Sequence, residues 1–321
     1  MKSPFFVRAI LLILLLYAPS HRAEFLEIAA DAGLDFMHEN GNEGELWTVE
    51  IVGAGVGIFD FDNDGRMDIW AVQGGPLRIA GSVSTGDRLF RNVQTGENLL
   101  FEDVTEISGV RATGYGMGIA TADIDNDGDT DVFLANFGAN QLFENLGDGQ
   151  FVDITEKAGL AGDEWSIGGS FADIDADGLL DLYVVNYLQF ALEEGKVCRN
   201  YSSRKTYCGP QNYPPSTDQL YRNLGNGRFE NVTELSGIGQ SSGRGMGVVT
   251  RDFNGDGQID FYVANDAGEN FLWLNQGGGR FEDEALFSGA ALNVYGIAEA
   301  SMGVAVADYD QDGDPDVFLT H

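Results

Sequence analysis

Apolar residues along this chain occur in short runs that alternate with polar residues and end at turns rich in glycine and aspartate. Two clear runs are Val132–Ala135 and Phe261–Ala264, both rich in β-branched and aromatic residues. Such runs predict short β-strands, because side chains on a strand point alternately to its two faces. No window of useful length shows the 3.6-residue apolar period of an amphipathic helix, so we expect an all-β protein with little helix.

A hairpin motif recurs along the chain. Its clearest copies are Leu142–Glu156 and Leu220–Glu234, while a third copy covers Phe271–Phe281 and a looser one covers Leu89–Phe101. Each copy contains two short alternating strands around a glycine-containing turn, which is Asp-Gly or Asn-Gly in the two clearest copies. These dipeptides are a strong signal for a β-hairpin.

A second motif, Asp-x-Asp/Asn-x-Asp-Gly-x-x-Asp, occurs five times at intervals of 50 to 79 residues. We call these segments aspartate loops 1 to 5. Their positions are counted from the first aspartate, which is Asp60, Asp123, Asp173, Asp252 or Asp308. Each loop follows one predicted strand and precedes another, so each is expected at the bend of a hairpin.

Together the two hairpins give four antiparallel strands in a unit of about 50 residues, the size of a β-propeller blade. The complete units are residues 51–110, 114–161, 165–239 and 244–290. A fifth unit begins near residue 299 with only its first hairpin, and residues 25–34 resemble the last strand and exit of a unit. We therefore expect one propeller over residues 24–321, with four full blades and partial blades at both ends. It would be a fragment of a longer gene product or an imperfectly closed ring.

The aspartate loops have the chemistry of calcium sites. Positions 1, 3, 5 and 9 carry side-chain oxygens, position 7 can add a backbone carbonyl, and glycine at position 6 permits a sharp turn. Neighbouring carboxylates repel one another unless a cation lies between them, and a cage made only of protein oxygens favours Ca²⁺ over Mg²⁺. We expect up to five Ca²⁺ ions. The predicted ligands are Asp60, Asp62, Asp64, Asp68, Asp123, Asp125, Asp127, Asp131, Asp173, Asp175, Asp177, Asp181, Asp252, Asn254, Asp256, Asp260, Asp308, Asp310, Asp312 and Asp316.

The aspartate loops differ from an EF-hand. Position 12 is apolar in all five, and strand-like sequence rather than helix flanks them, whereas an EF-hand needs a glutamate at that position. Asn254 replaces a carboxylate in loop 4, which makes it the weakest predicted site. The alternative, solvated acidic turns without an ion, suits a single loop better than five copies that each precede an apolar strand.

The charge balance and the N-terminus limit the function further. Acidic residues outnumber basic ones by 51 to 18, and the phosphates of nucleic acid would repel a net charge of −33. Lys2 and Arg8 accompany an apolar run, Ala9–Ala18, that is too short to cross a bilayer. Residues 1–23 are therefore predicted to be a cleaved secretory signal, with an uncleaved anchor as the alternative. No later segment is predicted to cross a membrane, so we expect the mature protein outside the cell or in the periplasm.

The third unit contains an insertion, Tyr187–Asp218, between its second and third predicted strands. The two cysteines of the chain, Cys198 and Cys208, lie within it. In an oxidising compartment we expect them to pair, the alternative being two free thiols. Because strand direction alternates, the insertion should lie on the face opposite the aspartate loops, either as a binding loop or as a structural flap over the propeller. The candidate ligand-binding residues are Arg199, Tyr201, Arg204, Lys205 and Tyr207.

The aspartate loops resemble the calcium loops of FG-GAP and VCBS repeats, which form the propellers of integrin α-chains and of many exported bacterial proteins. The hairpin motif Leu220–Glu234, together with Tyr207–Pro210 before it, is similar to the cartilage-acidic-protein and ASPIC/UnbV group of FG-GAP proteins. This resemblance covers about residues 25–321. It implies a calcium-bearing propeller associated with extracellular matrix and cell adhesion.

Two functions agree with these expectations. The first is a non-catalytic scaffold that binds an extracellular protein or glycan. The second is the scaffold of a calcium-dependent polysaccharide-degrading enzyme, a lyase or glycosidase, which propellers of this repeat class also resemble. After signal cleavage the chain has only His38 and His321, and no Ser-His-Asp or Cys-His arrangement is evident, which favours the first.

Overall fold

The structure is a computed structural model that describes residues 25–77, 86–96, 98–160, 162–194 and 196–321. The predicted secretory signal, residues 1–23, lies outside the described residues. Within the described part of the chain, four four-stranded antiparallel sheets correspond to the four complete units predicted from the sequence. We call these sheets blades 1 to 4.

The strands have the following bounds. Blade 1 consists of β1 (Val56–Phe59), β2 (Asp68–Ala71), β3 (Arg88–Asn92) and β4 (Phe101–Asp103). Blade 2 consists of β5 (Tyr115–Ala122), β6 (Asp131–Phe137), β7 (Gln141–Asn145) and β8 (Phe151–Asp153). Blade 3 consists of β9 (Ser166–Ala172), β10 (Asp181–Asn186), β13 (Gln219–Asn223) and β14 (Phe229–Asn231), with the small hairpin β11 (Cys198–Arg199) and β12 (Lys205–Thr206) inserted. Blade 4 consists of β15 (Gly245–Arg251), β16 (Asp260–Asn265), β17 (Phe271–Asn275) and β18 (Phe281–Asp283), and the last hairpin pairs β19 (Val304–Ala307) with β20 (Asp316–Leu319).

The strands of each blade follow one another in space as they do along the chain, and all pairs are antiparallel. The first strand of each blade contacts the first strand of the next, in the order β1, β5, β9, β15, β19. The blades are therefore arranged side by side with their first strands innermost. The predicted all-β, propeller-type fold is confirmed, and within the described residues the fifth sheet has two strands.

Apolar clusters lie between successive blades. Val132 of β6 belongs to a cluster with Trp70 of blade 1, whereas its neighbour Phe133 belongs to a cluster with Leu182 of blade 3. Equivalent clusters join blade 3 to blade 4 and blade 4 to the last hairpin. Because alternate side chains of one strand point to opposite faces, the second strand of a blade contributes to the cores on both sides of it.

Short turns of helix follow the fourth strands. The hairpin motif continues to Glu156 in the sequence, but β8 ends at Asp153, whose Oδ1 accepts the N–H of Thr155 (2.9 Å) and starts a single helical turn. Such side-chain bonds to the backbone compete with the strand ladder. In the described part of the chain the one-turn α-helices are Thr155–Ala158, Thr233–Ser236 and Ala285–Ser288, and the 3₁₀ helices are Thr48–Ile51, Leu192–Glu194, Pro210–Asn212 and Ile238–Gln240. None of the helices described has the length and apolar character needed to span a membrane.

The segment 25–34 packs against blade 1. Phe101 donates its N–H to Ala32 O (2.8 Å), just as Phe151 donates its N–H to Ser108 O (2.8 Å) where the exit of blade 1 meets blade 2. Residues 29–33 form a turn, and no strand is assigned within 25–34. This segment therefore takes the place of a blade exit on blade 1, without the strand expected from the sequence.

Candidate metal centres

Each aspartate loop forms the bend between the first and second strands of a sheet. In loop 2, Asn126 at position 4 and Gly128 at position 6 have φ angles of 61° and 95°, in the left-handed region. Glycine at position 6 of every loop is explained by this conformation, because other residues adopt it at a cost. Position 4 has the same requirement, which the sequence motif did not reveal; its residues are Asn63, Asn126, Ala176, Gly255 and Gln311.

Backbone N–H groups hold the aspartates at positions 1 and 5. In loop 2, the two carboxylate oxygens of Asp123 accept the N–H groups of Asp127 (3.1 Å) and Gly128 (2.9 Å). Asp127 Oδ1 in turn accepts the N–H of Asp129 (2.9 Å). Loops 1, 3, 4 and 5 contain the same set of bonds. The carboxylates at positions 1 and 5 therefore fix the bend of each loop by accepting its backbone N–H groups.

The aspartate at position 9 connects its loop to the core. Asp131 is buried at the start of β6, where its two carboxylate oxygens accept the N–H groups of Ile124 (3.0 Å) and Asn145 (2.8 Å). Burial raises the pKa of Asp131 to about 7, and repulsion from other carboxylates of the loop adds to the rise. The same causes raise the pKa of Asp181 in loop 3 to about 6. A nearby cation would favour the ionised form of both groups.

Carboxylate oxygens converge in several loops. Oxygens from three aspartates lie within 4.8 Å of one another in each of these sets: Asp60, Asp62 and Asp68; Asp123, Asp125 and Asp127; Asp173, Asp175 and Asp181; Asp308, Asp310 and Asp316. At position 3, the Oδ1 atoms of Asp62, Asp125 and Asp175 are buried and have no hydrogen-bond partner among the described residues. Burying a carboxylate oxygen without a donor is costly. The carboxylate oxygens of loops 1 to 3 therefore form a ligand set that fits a bound cation.

Loops 4 and 5 differ from the first three. In loop 4, Asn254 Nδ2 and Gln258 Nε2 both donate to Asp256 Oδ2, at 2.9 and 3.3 Å. The backbone N–H of Gln258 and these amide groups lower the pKa of Asp256, so amides already satisfy that carboxylate. In loop 5 the carboxylates converge but are exposed, and Asp316 lacks the burial of Asp131. The weaker site predicted at loop 4 is consistent with these contacts.

An asparagine at the end of the third strand links two aspartate loops. The N–H of Asn145 bonds to Asp131 in its own blade, while its Nδ2 donates to Phe61 O in loop 1 (2.8 Å) and to Thr130 O (3.2 Å). The same crossing bonds run from Asn223 to Ile124 O and from Asn275 to Ile174 O, both at 2.8 Å. The sequence shows this asparagine in every copy of the hairpin motif, but its contact with the preceding blade depends on the fold.

We call the insertion of blade 3, residues 187–218, the cap. Cys198 and Cys208 form a disulfide within it, as predicted, with their Cα atoms 5.2 Å apart. Thr48 Oγ1 donates to Cys208 O (3.1 Å), which joins the cap to the N-terminal segment. Both residues line a cavity of about 1040 Å³ between the first strands of the blades.

Two of the predicted ligand-binding residues fasten the cap. Tyr207 Oη accepts a hydrogen bond from Asn42 Nδ2 (2.6 Å) and donates one to Glu50 Oε2 (3.1 Å). Lys205 Nζ lies 3.3 Å from a carboxylate oxygen of Glu45. These side chains bind the cap to the segment that precedes blade 1, so their role in the structure is to position it.

The other three residues lie at the tip of the β11–β12 hairpin. Tyr201 is fully exposed, and Arg204, three residues later in the sequence, is also exposed. Arg199 is also exposed, and its Nη1 donates to Ser203 O (2.8 Å) across the hairpin. The tip therefore presents two arginines and a tyrosine to solvent on an otherwise acidic protein.

Comparison with known proteins identifies the repeat. The sequence model of the FG-GAP-like repeat matches residues 60–134, 123–184, 207–263 and 252–319. All four matches end in the strand that follows an aspartate loop, three of them begin at the first aspartate of a loop, and together they cover well over half of the chain. The chain therefore belongs to the FG-GAP-like repeat family.

Curated relatives and a solved structure are similar over most of the chain. Cartilage acidic protein 1 of Mus musculus is 24% identical over 268 residues, covering 83% of this chain and 39% of the relative. The same protein of Xenopus tropicalis is 25% identical over 282 residues, covering 83% and 39%. The chain thus spans about two fifths of the length of these relatives. A structure of an Agrocybe aegerita lectin that recognises non-reducing terminal N-acetylglucosamine matches 82% of this chain and 59% of the lectin, with 20% identity and a TM-score of 0.42.

Proposed function

We propose that this protein is an exported, calcium-stabilised β-propeller that acts as a non-catalytic scaffold for binding an extracellular protein or glycan. The observation that carries the calcium part is the buried, unpartnered Oδ1 atom at position 3 of loops 1 to 3. Family membership and the repetition of the loop support it.

The chain's own residues account for how an ion would be held. Side-chain oxygens at positions 1, 3, 5 and 9 would surround it, while the backbone bonds already described keep positions 1, 5 and 9 in place. A bound Ca²⁺ would supply positive charge that compensates several carboxylates at once. An oxygen-rich site built from protein groups favours Ca²⁺ over Mg²⁺, which retains more of its water.

The cap supports a binding role at the opposite face. Its tip presents Arg199, Tyr201 and Arg204 on a rigid base formed by the disulfide and the contacts of Tyr207. Arginine and tyrosine are favoured anchors in interfaces. The disulfide, together with the similarity to cartilage acidic protein 1, supports a location outside the cytoplasm.

Calcium titration tests the proposal. Protein stripped with EGTA is titrated with CaCl₂ in a calorimeter, and its melting is then followed with and without the ion at matched ionic strength. At 1 mM Ca²⁺, a site with a dissociation constant near 0.1 mM stabilises the fold by about 1.4 kcal/mol, so we expect binding heat and a melting temperature several degrees higher. Equal Mg²⁺ should have a smaller effect. The absence of binding heat, together with an unchanged melting curve, would refute the proposal.

A further inference from the structure

We propose that Arg91 lowers the calcium affinity of loop 1 relative to loop 3, so that the sites of this propeller are graded by one side chain of the third strand. This inference rests on the calcium binding proposed above. Loops 1 and 3 suit the comparison, because both have aspartate at positions 1, 3, 5 and 9 and both have an unpartnered oxygen at position 3.

In blade 1 the guanidinium group of Arg91 lies against the aspartate loop. Its Nε is 2.6 Å from Asp62 Oδ2 and its Nη2 is 3.5 Å from Asp64 Oδ2. Arg66, at position 7 of the same loop, also pairs with Asp64 and donates its Nε–H to Asn92 O (2.8 Å). Two cationic groups therefore contact the side chains at positions 3 and 5 of loop 1.

In blade 3 the equivalent arginine, Arg222, contacts a residue of the fourth strand instead of the aspartate loop. Arg91 and Arg222 both directly precede the asparagine of the third strand, and they lie opposite Glu102 and Glu230 of the fourth strand, respectively. Arg222 Nη2 pairs with Glu230 Oε2 at 2.5 Å, and position 7 of loop 3 is the apolar Leu179. The same residue type at the same register thus contacts the loop in one blade and a strand carboxylate in the other. The four residues at this register are Arg91, Glu144, Arg222 and Leu274.

The guanidinium group of Arg91 opposes ion binding in two ways. Its positive charge pairs with Asp62 Oδ2 at 2.6 Å, so an ion that binds both oxygens of that carboxylate would have to share Oδ2 with the guanidinium group. It also repels the ion: a divalent cation about 6 Å from a single positive charge, even in the dielectric of water, is disfavoured by about tenfold in binding constant. Loop 3 has no such contact from Arg222, so its affinity should exceed that of loop 1.

Two matched substitutions test the inference. Arg91→Leu introduces the residue that blade 4 has at this register, and Arg222→Leu makes the same change in blade 3. We expect calorimetric titration of EGTA-stripped protein with CaCl₂ to show one site about tenfold tighter in Arg91→Leu and no tightening in Arg222→Leu. Placing Arg91→Leu on an Asp60→Asn background, which damages loop 1, should abolish the gain.

The results of these titrations distinguish failure of the inference about Arg91 from failure of the proposed calcium binding. Unchanged affinities in Arg91→Leu, equal tightening in Arg222→Leu, or a gain that persists with Asp60→Asn would overturn the inference while calcium binding itself stands. A wild-type protein that gives no heat with Ca²⁺ would instead refute the proposed function, and the inference with it. If the leucine variant fails to fold, as judged by its circular dichroism spectrum, Arg91→Gln replaces it under the same criteria.

Discussion

Buried side-chain acceptors stand directly before the third strand of each complete blade, at the end away from the aspartate loops. Each accepts the backbone N–H of a residue at or near the end of the second strand, at 2.8 or 2.9 Å. The acceptors are Asp87, Asn140, Asp218 and Asn270, and their donors are Gln73, Asn136, Asn186 and Asn265. The position therefore needs an oxygen acceptor but not a charge, and blades 2 and 4 use the neutral residue.

Asp218→Asn is predicted to raise the melting temperature at alkaline pH. Burial raises the pKa of Asp218 to about 7, despite hydrogen bonds from Asn186 and Tyr183 that favour ionisation. Since the pKa in the folded state exceeds the ordinary value near 4, this group's contribution to stability is complete below about pH 4 and declines as pH rises toward 7. Asparagine removes that decline. Calorimetry should show the variant several degrees above wild type at pH 8, with a smaller difference at pH 5.

Asp87→Asn is the control for that prediction. Asp87 accepts two N–H donors, from Trp70 Nε1 (2.7 Å) and from the backbone of Gln73 (2.8 Å). An asparagine has one acceptor oxygen, so one of these donors would face an amide N–H and lose its partner. At position 218 the second partner is the hydroxyl of Tyr183 (2.8 Å), which can also accept. A gain at position 87 as large as that at position 218 would contradict the argument.

The asparagines whose side chains bond to the preceding blade, Asn145, Asn223 and Asn275, are predicted to contribute more to stability than their position in a hairpin suggests. Asn223→Ala removes the bonds of Nδ2 to Ile124 O and Leu180 O and the bond of Oδ1 to the N–H of Gly225, all around a buried side chain. Leaving such groups unpaired costs about 1–3 kcal/mol each. Urea unfolding should show a loss of several kcal/mol and a lower midpoint.

Asn92→Ala provides the comparison within the same motif. Within the described residues, the side chain of Asn92 bonds to Met67 O (3.1 Å) and to the N–H of Gln94 (3.0 Å), both in its own blade. Its substitution should therefore cost less than that of Asn223. Equal losses would show that the bond between blades adds nothing measurable.

The sequence predicted the elements whose signals are local. Alternation of apolar residues and turn dipeptides identified the strands and hairpins, and the repeated aspartates identified the loops. Contacts between distant residues were not predictable in this way: Asn223 and Ile124 are 99 positions apart, and Tyr207 and Asn42 are 165 apart. The burial of Asp131, which distinguishes it from Asp316 at the same position, also depends on which sheets surround it.

At the scale of the whole molecule, the aspartate loops join first to second strands and the cap joins a second strand to a third, so they leave opposite ends of the antiparallel sheets. Ion binding and partner binding should therefore be separable. The variant Arg199→Ala, Tyr201→Ala and Arg204→Ala, screened on arrays of glycans and extracellular proteins, is predicted to lose signals that wild type gives, with an unchanged melting temperature. Arg228→Ala with Arg280→Ala, two exposed arginines outside the cap, is the control. Equal binding by the cap variant and wild type would place the partner site elsewhere.

Because the apolar clusters lie between blades, each blade shares its hydrophobic core with its neighbours. Proteolytic cleavage or local unfolding of blade 2 would expose to solvent the side chains of blades 1 and 3 that pack against it, including Trp70 and Leu182. Local unfolding should therefore extend to the adjacent blades rather than remain confined to one repeat. Native-state hydrogen exchange should then show adjacent sheets unfolding as one cooperative unit. Duplication of a repeat in such a protein succeeds only when both faces of the new sheet match the neighbours it separates.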